Sequence, residues 1–204
     1  MRNVFPATLQ QPPNLDQNSP HAMEAATEWL RSCRSGHEAC RTDRVHSMPK
    51  RLLKIHHGGK TISLVRPLDR TPYVVLSYCW GGDQRSKTTK PTLQLHNRQI
   101  HIESLSQSVQ DAIKATAALG VAHLWIDALR IVQDDPHEIM EETANMPDVY
   151  QRGLVTILAG DSDTAQKGFL HKREPIAQYS ISFLPNVDEA NVCSVTLEPR
   201  LAQT

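Results

Sequence analysis

The sequence predicts an α/β fold built on a parallel sheet, because three apolar runs alternate with two helical patterns. The runs are Tyr73–Cys79, Val121–Asp127 and Leu154–Ala159, and each is rich in residues that strands favour. Amphipathic stretches fill the two intervals, near residues 107–119 and 136–150. Strand, helix, strand, helix, strand at this spacing is typical of right-handed βαβ units. We therefore expect a parallel sheet flanked by helices.

Upstream of the sheet, the sequence predicts an N-terminal helix and a β-hairpin. Residues 1–20 are rich in Pro, Gln and Asn and are expected to be a disordered lead-in. A Ser-Pro pair at the end of this stretch has the pattern of a helix start, and Gly36 is the expected end. The runs Arg51–Ile55 and Thr61–Arg66 flank a turn rich in His and Gly, which indicates the hairpin.

The ends of the core helices are marked by capping residues. A polar loop rich in Gly, Ser, Lys and Thr follows the first strand, and Gly120 closes the first helix. Asp135 is followed by Pro and by Glu138, the pattern of a capping box, so the second helix begins there. Pro147 lies inside the second pattern and is expected to end or kink that helix. Two weaker strand patterns follow, at Tyr179–Leu184 and Val192–Leu197.

Composition excludes several classes of protein. The 204 residues are enough for one ordinary domain. Lys and Arg together number 22, as do Asp and Glu, so the chain lacks the basic footprint of a nucleic-acid-binding protein. No apolar run approaches the length of a membrane span, and the N-terminus lacks a signal-peptide pattern. We therefore expect a cytoplasmic protein with no nucleic-acid or membrane partner.

The cysteines permit a metal hypothesis without favouring it. The 4 cysteines are too unevenly spaced for a disulfide framework. Cys33, His37 and Cys40 offer ligand types that zinc prefers. However, no fourth ligand follows at a matching spacing, and Gly36 is expected to break the helix between them. We therefore expect packing cysteines, a surface histidine and no metal site.

A ligand site is expected at the carboxyl ends of the three strands, where open parallel sheets bind ligands. The first strand runs into Ser77, Tyr78, Trp80 and Gly81, the second into Asp127 and Arg130, and the third into a Gly-Asp-Ser loop at 160–162. The alternative interpretation is that Trp80 caps the core and that the glycines form a plain turn.

Glu142 is the unusual residue of the second helix. On a helical wheel it lies between Met146 and Val149, on the apolar arc. A carboxylate there is costly unless it is paired or lines a cavity. One interpretation is a Glu at the edge of the stripe that bonds Arg130 or a backbone group. The other is that Glu142 faces a cleft at the strand ends, formed by Trp80, Asp127 and the loop of Gly160 and Asp161.

Several short motifs, in order, resemble the fungal heterokaryon-incompatibility (HET) domain. The blocks are Tyr73–Gly81, Leu124–Leu129 with Gln133–Asp135, Glu142-x3-Met146-x2-Val149-Tyr150, Thr156–Ala159 and Gly168–Leu170. The upstream Trp29, Cys33, His37, Cys40 and the run Pro49–Leu53 are similar to the segment that often precedes that domain. The resemblance covers roughly residues 25–172 and rests on five blocks rather than one pattern.

This resemblance implies a function and assigns roles to residues. HET domains act in non-self recognition in filamentous fungi, where incompatible partners trigger programmed cell death. They are distantly similar to TIR domains, which have a flavodoxin-like parallel sheet, and some TIR domains cleave NAD+ with a glutamate. The resemblance thus implies Glu142 as the catalytic residue, with NAD+ as substrate and no required cofactor. The implied NAD+-binding residues are Ser77, Tyr78, Trp80, Gly81, Asp127 and Arg130.

The chain also departs from the family pattern, so other functions stay open. Arg130 replaces a common Cys, Ile139 replaces a Trp, and no Arg-Gly-Trp motif occurs before Thr204. The alternatives are a non-catalytic module that self-associates or docks a partner signalling domain, and a degenerate, truncated copy. The expected organisation is a lead-in (1–20), a helix and hairpin extension (21–72), a HET core (73–172) and a truncated tail (173–204).

Overall fold

The computed structural model describes residues 14–37, 40, 48–56, 61–174, 179–183 and 193–197. The chain divides into two compact units. The larger unit, Gln17–His171, contains the main sheet and all the described helices. Most of the predicted lead-in and the turn at 57–60 lie outside the described residues. Within the described part of the chain, no helix is both long and apolar enough to cross a membrane.

The larger unit is an α/β domain. Its strands are β1 (Leu52–Ile55), β2 (Thr61–Val65), β3 (Val74–Ser77), β4 (Ile100–His101), β5 (His123–Trp125) and β6 (Val155–Leu158). Its helices are α1 (Pro20–Gly36), α2 (Lys90–Arg98), α3 (Gln107–Ala118), α4 (Asp127–Arg130), α5 (Pro136–Ala144) and α6 (Met146–Arg152). A short 3-10 turn, Ile102–Ser104, joins β4 to α3.

The three predicted core strands form the parallel part of the sheet. The strand order is β4-β2-β1-β5-β3-β6. Strand β3 pairs in parallel with both neighbours, and Val74 lies opposite Leu124 on one side and Val155 on the other. The predicted parallel arrangement is therefore confirmed.

The predicted hairpin is present and belongs to the same sheet. Strands β1 and β2 pair antiparallel, with Leu52 opposite Val65. Strand β1 also pairs antiparallel with β5, where Leu53 lies opposite Leu124. The sheet is consequently mixed, because the hairpin extends its parallel part on the β5 side.

The helices follow their predicted signals, except that α2 and the short α4 are not predicted. Ser19 caps α1 by accepting a hydrogen bond from the backbone N–H of Ala22 at 3.2 Å. Helix α5 ends at Ala144, and α6 restarts at Met146 with Pro147 in its first turn. The predicted break at Pro147 is therefore confirmed. Helix α2 lies where the sequence predicts only a polar loop.

Helices cover both faces of the central strand, so alternate β3 residues enter two separate parts of the core. Val74 and Leu76 pack on the side of α3, in a cluster that includes Val109 and Ile113. Tyr73 and Val75 face the other way and pack on Trp125 and Val149. All four of these residues are at most 1% exposed. Such two-sided burial explains the continuous apolar run.

The second unit combines the two ends of the chain, Met1–Asp16 and Lys172–Thr204. It contains an antiparallel pair of strands, β7 (Tyr179–Phe183) and β8 (Cys193–Leu197), at the positions of the two weaker strand patterns.

Candidate functional site

The structure gathers the predicted site residues into two groups joined by α4. The first group lies at the end of β3 and comprises Ser77, Tyr78, Trp80, Gly81 and Asp127. The second group is the pair of Arg130 and Glu142. Asp127 and Arg130 are the first and last residues of α4, so this one helical turn connects the groups.

Asp127 anchors the loop after β3. Its Oδ2 atom accepts a hydrogen bond from the indole N–H of Trp80 at 3.0 Å, and its Oδ1 atom accepts one from the backbone N–H of Ala128. Burial raises the pKa of Asp127, and these hydrogen bonds oppose that effect. Burial also raises the pKa of Tyr78, as does the charge of Asp127. The indole N–H, the only polar group of the Trp80 side chain, is thus already bonded to Asp127.

Gly81 lets the same loop pass close to the loop after β6. Its φ of +66° lies in the left-handed region. A Cβ added there would lie 2.5 Å from the side chain of Thr164 and 2.7 Å from its Cα. Only glycine satisfies both conditions.

Glu142 and Arg130 form a buried ion pair. Glu142 is 2% exposed and Arg130 is 0% exposed. The Arg130 Nη1 donates to the Glu142 Oε2, and the guanidinium carbon lies 5.4 Å from the centre of the Trp125 ring. Burial lowers the pKa of Arg130, whereas the contact with Glu142 raises it. The expected burial of Glu142 is confirmed, and its bond to Arg130 matches the interpretation in which it pairs at the edge of the apolar stripe.

The segment before β1 supplies two further cations to this pair. The Lys50 Nζ lies 2.6 Å from the Glu141 Oε2 and 3.8 Å from the Glu142 Oε1. Arg51 pairs with Glu138 and donates from Nε to the Arg130 carbonyl oxygen at 2.9 Å. Both Glu142 oxygens consequently face a cation.

A small pocket adjoins Glu142. Its volume is about 160 Å³. The lining residues are Met48, Pro49, Lys50, Glu141, Glu142, Asn145, Asp148 and Val149. This lining contains none of Trp80, Asp127, Gly160 and Asp161, the residues of the predicted cleft. The prediction was wrong about the surroundings of Glu142, because the helix faces the segment before β1, whose position in the sheet the sequence does not indicate.

The Gly-Phe-Leu motif docks on α3 through Asp111. The Asp111 Oδ2 accepts hydrogen bonds from the backbone N–H groups of Phe169 at 2.8 Å and Leu170 at 3.0 Å. Gly168 has a φ of +72°, and an added Cβ would lie 2.6 Å from the same carboxylate oxygen. A larger pocket of about 540 Å³ runs along α3 and includes Asp111, Lys114 and His171, but no predicted site residue.

The three ligand-type residues at the end of α1 lie together. The Sγ atoms of Cys33 and Cys40 are 3.2 Å apart, and the Cys40 Sγ lies 3.9 Å from the His37 Nδ1. All three ligand atoms fall within 4.8 Å of one another. The expected break at Gly36 is correct, since the helix ends there, but the break does not separate the three side chains.

The sequence analysis does not predict the two cations near Glu142 or the carboxylate on α3. The sequence places Lys50 and Arg51 only within an upstream block of the family resemblance, and it predicts no role for Asp111. A charged residue next to an apolar strand, as Arg51 is next to Leu52, was the available signal for the first two. Asp111 on the apolar stripe of α3 was the available signal for the third.

The fold and site define an α/β domain in which the central strand β3 runs into a Trp-Gly loop and α5 contributes a buried glutamate. The model of one family, the heterokaryon incompatibility protein (HET), matches residues 73–194. This chain belongs to that family. No curated protein and no solved structure matches it. None of these comparisons supports the predicted distant similarity to TIR domains, which stays a prediction.

Proposed function

We propose that this heterokaryon-incompatibility protein acts in the cytoplasm, in fungal non-self recognition that ends in programmed cell death. We further propose that the Lys50, Glu142 and Arg130 charge cluster is its functional centre. The observation that carries this second part is the burial of Glu142 at 2% exposure beside a pocket. A buried carboxylate with placed charges around it is the kind of group that active sites use.

The proposed chemistry is cleavage of NAD+ at the bond between nicotinamide and ribose. Nicotinamide leaves with the bonding electron pair, and the ribose carbon gains positive charge. Water then adds to that carbon and releases a proton, which gives ADP-ribose. The Glu142 carboxylate would stabilise the ribose cation, as carboxylates do in glycoside hydrolysis.

Two features of the site oppose this chemistry, the cations beside Glu142 and the small size of the pocket. Arg130 and Lys50 both face the carboxylate and reduce the field it exerts on a substrate cation. The pocket of about 160 Å³ is also smaller than the 300–1,000 Å³ or so that ligand pockets usually measure. Cleavage therefore requires the Lys50 segment to move away from α5, which enlarges the pocket and frees one Glu142 oxygen.

The test incubates the full chain with NAD+ and measures nicotinamide by mass spectrometry. We expect release by the wild-type protein and a loss of at least about 100-fold in Glu142→Gln, the scale at which electrostatic groups contribute to catalysis. Glu141→Gln is the matched control: it removes a carboxylate next to the same lysine, and its side chain is 42% exposed. Absence of release by the wild-type protein would refute NAD+ cleavage, whatever the variants do.

The same geometry favours a second candidate, a non-catalytic signalling module. In this candidate the Arg130 and Glu142 pair holds α5 on the sheet, and the signal passes through self-association or a partner domain. The observation that favours this candidate is that each Glu142 oxygen already faces a cation, Lys50 or Arg130. Sedimentation across a range of concentrations tests it: assembly without nicotinamide release supports the module, and a monomer without release points to an inert copy.

A further inference from the structure

We propose that Cys33, His37 and Cys40 bind a zinc ion at the C-terminal end of α1. The sequence alone does not favour this site, because no fourth ligand follows at a matching spacing. The geometry changes that judgement. Two thiols and an imidazole, separated by a helix end, converge until all three ligand atoms lie within 4.8 Å of one another.

The distances suit a tetrahedral zinc ion. Bond lengths of about 2.3 Å to sulfur and about 2.0 Å to nitrogen place two ligand atoms of one zinc roughly 3.5–3.8 Å apart. The observed separations are 3.2 Å between the two Sγ atoms and 3.9 Å between the Cys40 Sγ and the His37 Nδ1. These two separations differ from zinc geometry by a few tenths of an ångström, and the third pair, the Cys33 Sγ and the His37 Nδ1, lies within 4.8 Å.

A disulfide explains the cluster less well. The Sγ atoms of Cys33 and Cys40 lie 3.2 Å apart, and both cysteines are free. A disulfide needs about 2.0 Å. It also leaves His37 without a role, although the imidazole lies within the same cluster. Zinc uses all three side chains and leaves a fourth position for water or one further ligand.

Helix α1 is an element that such an ion would stabilise. None of its 17 residues is buried, and Trp29 is 73% exposed. Most of the stability of a helix in a protein comes from the packing of its apolar face, and α1 has little such packing. Its packing on α3 includes a hydrogen bond of 3.3 Å from the Thr27 hydroxyl to the Ala118 carbonyl oxygen. A zinc ion would fix the last turn of α1 to the chain that follows, since metal binding is coupled to folding.

The experiment measures zinc in the full chain, purified under reducing conditions and passed through gel filtration. Inductively coupled plasma mass spectrometry should find about one zinc ion per chain. The variants Cys33→Ser, Cys40→Ser and His37→Asn should each lose it. Cys79→Ser is the matched control, because Cys79 is an exposed free cysteine outside the cluster, and it should retain the zinc.

A second measurement does not depend on the variants folding. The wild-type chain, stripped with a chelator and then given zinc, should regain the ion and show slower amide hydrogen exchange in the last turns of α1. The inference is overturned if the reduced wild-type chain takes up no zinc, if zinc persists in Cys33→Ser, or if the fresh protein contains a bond between Cys33 and Cys40 and binds no zinc after reduction.

Discussion

At the scale of single residues, the contact between Arg130 and Glu142 is the feature that departs most from an ordinary core. Both side chains are fully enclosed, and the guanidinium also lies against Trp125. Removing one member of a buried pair leaves the other charge without compensation, whereas replacing both with apolar groups removes the problem. The pair is therefore a strong test of what holds α5 in place.

We expect Glu142→Leu to destabilise the fold by about 3–5 kcal/mol, because it leaves Arg130 charged and buried. Arg130→Met should cost less, because Lys50 still lies 3.8 Å from the Glu142 carboxylate. The double variant should recover most of the Glu142→Leu loss. Urea unfolding at neutral pH measures all three changes, and simple addition of the two single losses in the double variant would contradict this account.

Gly81 gives a second prediction at this scale. Gly81→Ala should destabilise the fold by about 1–3 kcal/mol, because it combines a left-handed φ with a clash against Thr164. Gly160→Ala is the control, since an added Cβ there meets nothing nearer than 3.7 Å, and a change within about 0.5 kcal/mol is expected. Equal thermal unfolding of the two variants would show that the contact with Thr164 is relaxed easily.

At the scale of elements, the attachment of the 168–170 segment to α3 rests on one carboxylate. Asp111→Leu leaves two backbone N–H groups, those of Phe169 and Leu170, without their acceptor. The expected loss is about 1–3 kcal/mol, accompanied by faster hydrogen exchange at these two amides. Lys114→Ala, an exposed position on the same helix, should leave both amides protected. Unchanged exchange in Asp111→Leu would mean that packing alone holds the segment.

Sequence patterns predict some elements of this fold well and others poorly, for physical reasons. Strand β3 is buried on both faces, so its residues are apolar without interruption and its place in the sheet can be inferred. Helix α2 is short and polar, and its apolar positions are too few to show a period. At its start the Thr92 hydroxyl accepts a hydrogen bond from the backbone N–H of Thr89 at 2.9 Å, but Thr-x-x-Thr lacks the Glu or Gln that makes a capping box recognisable in a sequence.

The sequence predicts part of the site. It does not predict the contacts between residues that are far apart in the chain. The wheel position of Glu142 indicates burial, and Arg130 is near enough in the chain to be considered as a partner. Lys50 and Arg51 lie 79 to 91 residues from their partners Arg130, Glu138 and Glu141. Their approach depends on β1 pairing with β5, which no local pattern determines.

At the scale of the whole molecule, stability should depend on pH through a buried histidine. His96 is 8% exposed, and its Nδ1 lies 2.7 Å from the Thr88 hydroxyl oxygen. That hydroxyl donates to the Leu129 carbonyl oxygen, so the Nδ1 atom of His96 donates to Thr88. Burial lowers the pKa of His96. The folded state therefore resists a proton that the unfolded chain accepts.

From this we expect the free energy of unfolding to decrease as the pH falls below about 6.5, the ordinary pKa of histidine. The contribution of His96 to the free energy of unfolding is complete above that pH. It is lost as the pH falls from there to the lowered pKa of His96 in the folded state. His96→Gln, whose amide can still donate to Thr88, should make the decrease shallower. Urea unfolding between neutral and mildly acidic pH measures the slope, and an unchanged slope would exclude His96 as its source.

The pairing of β1 with β5 also determines how much of the chain a transferred domain must include. The family match begins at residue 73, after β1, β2 and both cations of the preceding segment. A transplanted 73–194 fragment would expose the edge of β5. It would also lack Arg51, the partner of Glu138, and Lys50, which lies near Glu141 and Glu142, although Glu142 would keep Arg130. A fragment that keeps these contacts after transfer to another protein is consequently longer than the family match. It has to start no later than Met48.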